Sequence, residues 1–78
     1  MSYFYIAHEN SVWKSPNGKR WVVASRYKKY DNYFCHIIDN TGFSIYNINE
    51  KEILDNMILL GIYEDYQDAI ESHTFRGK

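Results

Sequence analysis

Asn49-Glu50-Lys51-Glu52-Ile53-Leu54-Asp55-Asn56-Met57-Ile58-Leu59-Leu60-Gly61 is the stretch at which the chain changes its periodicity. Before it, apolar residues come in short aromatic and β-branched runs bounded by turn residues, the pattern of strands. Within it, Ile53, Leu54, Met57, Ile58 and Leu60 recur at helical spacing and Gly61 supplies a stop. Asn49 and Glu52 stand three apart as in a capping box, and Glu50 and Glu52 meet the positive end of the helix dipole. A second helix is predicted from Glu64 or Asp65, on Tyr66, Ala69, Ile70 and His73. Strands first and helices after make an α+β chain: an antiparallel sheet of three to five strands followed by two C-terminal helices packed on one face. The sheet takes residues 1–48, the helices 49–73 and a tail 74–78.

Outward from this switch, residues 33–38 and 43–48 read as a hairpin around Asp39-Asn40-Thr41-Gly42. Pairing Ile38 with Phe43 puts Phe34, His36, Ile38, Phe43 and Ile45 on one face, and Tyr33, Cys35, Ile37, Tyr46 and Ile48 on the other. Ser15-Pro16-Asn17-Gly18 is a second turn, with proline presetting φ and Asn-Gly tolerating positive φ. It joins 12–14 to 20–26. Tyr3-Phe4-Tyr5-Ile6-Ala7-His8 reads as a first strand, and Arg26-Tyr27-Lys28-Lys29-Tyr30-Asp31-Asn32-Tyr33 as an exposed connection between the two hairpins.

Seventy-eight residues suffice for one domain. Its stability should lie at roughly 4 to 12 kcal/mol. With 45% hydrophobic and 18% aromatic residues the chain is globular, large rings compensating for a small core. The single cysteine, Cys35, has no intramolecular partner and suits a reducing compartment such as the cytoplasm. The first seven residues lack a basic leader and the longest apolar run, 57–63, is far too short to span a bilayer, so a soluble protein with no membrane partner is expected.

Catalytic chemistry finds little support. Cys35 and His36 are neighbours on a predicted strand, so they point to opposite faces and cannot grip one metal ion together. His8 and His73 stand alone, the four glycines form no phosphate loop, and no base or oxyanion donor is placed beside Cys35. The chain is therefore expected not to be an enzyme and to use no cofactor or metal.

Charge is more informative. Net charge is only −1, yet residues 1–30 hold six cations against one acid, and residues 31–78 nine acids against three cations. Two opposed faces follow. The basic one, Arg20, Trp21, Arg26, Tyr27, Lys28, Lys29 and Tyr30, mixes phosphate-neutralising charge with rings on which bases stack. Its plainer reading is an edge kept soluble by lysines. The acidic one, Glu64, Asp65, Asp68 and Glu71, suits docking on a basic patch of a protein or simply faces solvent.

In overall character the chain is short, rich in Tyr, Asn, Ile and Lys, and bare of catalytic motifs. In this it resembles the small single-domain proteins that bacteriophages encode to bind and inhibit host or defence machinery. That resemblance implies a non-enzymatic inhibitor or modulator acting on a host or defence-system protein in the host cytoplasm. The alternative is a small RNA or single-stranded DNA binding protein using the basic-aromatic stretch. Exposed sheet edges also open a route to a homodimer.

Overall fold

The computed structural model describes residues 6–75. Along them run β1 (Ser11–Lys14), β2 (Arg20–Lys29), β3 (Asn32–Asp39), β4 (Ser44–Asn49), α1 (Glu50–Asn56), β5 (Ile58–Ile62) and α2 (Tyr66–Phe75). All five strands form one antiparallel sheet in the order β4-β3-β2-β1-β5, so the α+β class is as the sequence predicts.

Turn chemistry fixes the hairpins. Gly18 takes a φ of 90° and donates to Ser15 O at 2.9 Å, closing the first turn where Asn-Gly was expected to. At the third, Gly42 takes a φ of 96°, and the Asp39 carboxylate accepts from Thr41 N, Thr41 Oγ1 and Phe43 N at 2.8, 2.7 and 2.9 Å. The middle connection differs from expectation. β2 and β3 run straight into each other through Tyr30 and Asp31, both left-handed with φ of 52° and 67°, so residues 26–33 are a tight hairpin.

The opening stretch also folds differently. Asn49 caps α1 by accepting from Lys51 N at 2.9 Å, but the helix stops at Asn56, and Met57 turns to φ −119°, ψ 160°. Ile58–Ile62, expected to carry the helix on to Gly61, is instead the edge strand β5. Helix propagation over so short a segment is marginal in water, whereas β1 offers a free edge beside Trp13. Pairing Leu59 with Trp13 joins that edge and adds Leu59 to the core.

Nor do the helices share a face. On one side of the sheet Trp13, Trp21, Val23, Cys35 and Ile37 bury against Ile53 of α1, with Ala7 completing the cluster. On the other, Val12 and Val22 pack on Ala69 of α2. Alternation along β1 and β2 makes these opposite faces, hereafter the α1 face and the α2 face. β4 and β5 stand at opposite edges of the sheet, so α1 joins them across one face, and α2, which follows β5, packs on the other.

Ile38 pairs with Ser44 rather than Phe43, and Tyr46 and Asn47 bulge opposite His36, with Asn47 at φ 62°. The slip and bulge move Ile45 to the Cys35 and Ile37 face and Tyr46 to the His36 face. Of the expected first strand, residues 3–5 lie outside the described ones, and Ala7 and His8 are not in a strand. α2 runs to Phe75, past the predicted end at 73, and the side chain of His73 lies outside the described residues, as do 76–78.

Candidate functional site

Strand alternation splits the basic stretch. Register places Arg26, Lys28 and Tyr33 on the α1 face, and Tyr27, Lys29 and Phe34 on the α2 face. Arg26 has a structural task. Its Nε lies 2.7 Å from Glu50 Oε2 and its Nη2 3.4 Å from Oε1, while its guanidinium sits 3.7 Å from the centre of the Tyr33 ring. The Glu50 hydrogen bond raises the Arg26 pKa, against the opposing effect of burial. Glu50, itself buried, also accepts from Ala7 N at 2.7 Å, so one carboxylate ties the amino-terminal segment, β2 and α1 together.

Trp21 is core. Only 6% exposed, it donates from Nε1 to Ser15 Oγ at 3.2 Å, so it offers no surface for stacking. Arg20 lies at the opposite end of β2 from Lys29. Tyr30 is 86% exposed at the hairpin tip, flanked by exposed Lys28 and Lys29.

A different cluster gathers on the α2 face where α2 does not reach. Tyr27 and Phe34 are direct cross-strand partners with stacked rings 6.4 Å apart. His36 stacks on Tyr46 at 4.3 Å, and Tyr27 OH reaches across β3 to donate to Asn47 Oδ1. Tyr46 is 67% exposed. His36 Nε2 is buried with no hydrogen-bond partner among the described residues. Of these residues only Tyr27 was singled out from the sequence. Phe34 and His36 were legible as same-face neighbours, but Tyr46 joins them only through the bulge.

The third surface is β5. Among the described residues it is the last strand of the sheet and hydrogen-bonds to β1 alone, and Ile58, Leu60 and Ile62 are 67%, 46% and 50% exposed along it. Acids stand at both ends: Asp55 before it, Glu64 and Asp65 after it, all exposed. Asp65 caps α2 by accepting from Asp68 N at 2.9 Å, while Asp68 and Glu71 stay on the exposed side of that helix. The four acids read from the sequence thus continue from the β5 end onto α2.

Cys35 lies in the core, its thiol pushed up to about 12, by burial first and then by the Glu50 carboxylate. Such a thiol is not a nucleophile at neutral pH. His36 points away from it to the other face. Among the described residues no group of three or more His, Cys, Asp or Glu is placed to hold a metal ion, and no helix is long and apolar enough to cross a membrane. Compared with protein-family models, curated proteins and solved structures, the chain matches none.

Proposed function

We propose that this domain is a non-catalytic binding protein that inhibits or modulates a cytoplasmic protein partner, as small phage-encoded inhibitors of host or defence machinery do. The observation that carries this is β5: a terminal strand with three exposed aliphatic side chains and one backbone edge that is unpaired among the described residues. Edges of this kind accept a strand from another chain, main-chain hydrogen bonds giving affinity and alternate side chains giving specificity. Asp55, Glu64 and Asp65 at its ends, continued by Asp68 and Glu71, favour a partner segment that is apolar in the middle and basic at its flanks. The same acids stand against a second copy of the chain, which would bring carboxylates together. A single buried thiol suits a reducing cytoplasm.

Affinity capture from a host lysate tests the proposal, with Leu60→Lys on the edge and, separately, Asp65→Lys with Asp68→Lys on the acids. The wild-type domain should retain one protein at a stoichiometric ratio, and both variants should lose it while keeping their circular dichroism. Undiminished capture by Leu60→Lys would remove the edge from the reading. A stable dimer in light scattering would assign β5 to self-association instead.

A further inference from the structure

We infer that Leu60 is the specificity-determining residue of the β5 edge: as the extra residue of a β-bulge it keeps the edge from pairing with a second copy of this chain. That the edge is thereby kept for a protein partner rests on the role proposed for β5; the exclusion of a second copy does not.

Register shows the bulge. Trp13 pairs with Leu59 and Val12 with Gly61, so two successive residues of β1 face three of β5, and Leu60 has no partner on β1. Both flanks are pinned. On one side Leu59 packs with Trp13 into the core of the α1 face. On the other, Tyr63 donates from its N to Asn10 O at 3.0 Å, packs on the Val12, Val22 and Ala69 cluster of the α2 face, and sets its Oη 2.7 Å from Ser72 Oγ. In a continuous strand Leu59 and Tyr63, four residues apart, would share a face. The extra residue shifts the phase and sends them to opposite faces, so one short strand serves both cores. Gly61 belongs to the same device, because a Cβ there would come within 3.1 Å of Tyr63 Oη.

The bulge also decides what the outer edge can pair with. An added strand needs a row of N–H and C=O groups at the regular rise of about 3.3 Å per residue. A bulge breaks that row and twists the strand away from it. Ile58-Leu59 and Gly61-Ile62 are the regular pieces left within β5, each shorter than the about 3 to 10 residues of ordinary strands. A second copy brings the same broken row, and no alignment of the two gives more than two consecutive regular pairs within β5. It also brings its own Asp55, Glu64 and Asp65 against those of the first. A protein partner with cations at its flanks gains from these acids what the broken ladder withholds, and that difference is the selectivity of the edge.

Light scattering on the full chain at about 0.1 M and about 1 M salt tests the inference, since the higher salt cuts the reach of the acids from about 10 to about 3 Å and leaves the bulge as it is. The wild-type domain should be monomeric at both. Deleting Leu60 leaves Leu59 opposite Trp13 and Gly61 opposite Val12, now as neighbours on opposite faces, so both cores keep their contacts and the edge becomes regular. That variant should keep its circular dichroism, and at high salt its mass should rise about twofold, as symmetric pairing of two edges requires. Because Tyr63 N points inward to Asn10 O, Ile62 N–H points outward, so adding Ile62→Pro removes an edge donor and should restore the monomer. Asp55→Asn with Glu64→Gln and Asp65→Asn removes the acids and keeps the bulge; it should stay monomeric at low salt, and it tests the inference whether or not the deletion variant folds. A dimer of this variant or of the wild type that Ile62→Pro dissolves would overturn the inference. So would a folded deletion variant that stays monomeric at high salt, or one whose dimer persists with Ile62→Pro. A monomeric deletion variant leaves the protein-partner reading standing, whereas undiminished lysate capture by Leu60→Lys removes that reading and leaves the bulge in place.

Discussion

The two faces of the sheet are built for different purposes. The α1 face is closed: two tryptophans, aliphatic residues and Ile53 bury there, and both ion pairs of the described residues, Arg26 with Glu50 and Lys19 with Asp39, stand at its margins. The α2 face is half closed, by Ala69 on Val12 and Val22, and half open, under the Tyr27 to Tyr46 ring cluster. In a domain this small a single face holds most of the stability. The other is thereby free to expose rings that a larger protein would cover.

Substitutions on the two faces should therefore differ in what they cost in stability. The largest loss is expected for Glu50→Ala, which leaves the part-buried Arg26 and Ala7 N without their shared acceptor. Removing one partner of such a pair costs about 3 to 5 kcal/mol, enough to bring the fold close to its unfolding midpoint without denaturant. Urea titration followed by tryptophan fluorescence measures it. A loss below about 1 kcal/mol would show that the α1 face does not depend on this carboxylate.

Asp39→Asn is next, at about 1 to 3 kcal/mol, because a fully buried carboxylate there holds the third turn. Burial pushes this carboxyl up, but hydrogen bonds from Thr41, Phe43 and Lys19 together outweigh it and hold it well below the usual carboxylate range. A depressed folded value means that the unfolded chain takes up its proton first as pH falls. The stabilisation is thus complete above the unfolded value of about 3.9 and is lost progressively below it, toward the folded value. Urea midpoints from pH 6 down to pH 2 should show a wild-type decline that is shallower in Asp39→Asn.

Tyr46→Ala should cost less than about 1 kcal/mol by the same titration, since Tyr46 is 67% exposed and stakes one ring stack on His36. A loss as large as that of Glu50→Ala would erase the distinction between the faces. The smallest effect is expected at the tip joining them. Tyr30 holds a φ of 52° that asparagine tolerates better, so Tyr30→Asn should gain about 0.5 kcal/mol and leave both faces as they are.

Local chemistry was legible and distant pairing was not. Pro16, Asn17 and Gly18, the Asp39 to Gly42 turn, and the Asn49 cap act within a few residues, and each appears where the sequence places it. Tyr30-Asp31 lacks the glycine that usually marks a two-residue turn, so the basic stretch reads in the sequence as an exposed connection and not as a hairpin. Once it is a hairpin, its cations divide between faces and Trp21 drops into the core. Tyr27 and Lys29 share a face with Phe34 and His36 by strand alternation alone, and Tyr46 joins them through a bulge that no local signal announces.

Asn49 through Gly61 shows the same division within one segment. Its first half becomes a helix because a cap, two acids and Ile53 all favour one, and these are properties the sequence carries by itself. In its second half, Ile58, Leu59, Leu60 and Gly61 suit a buried helix or a strand equally, since a short apolar run has no periodicity that tells them apart. The open edge of β1 beside Trp13 decided it, and only the tertiary structure brings that edge to this segment. With it came the position of α2 and the outer edge of β5 that the described residues leave unpaired: consequences of non-local contacts whose energy exists only once the sheet has formed.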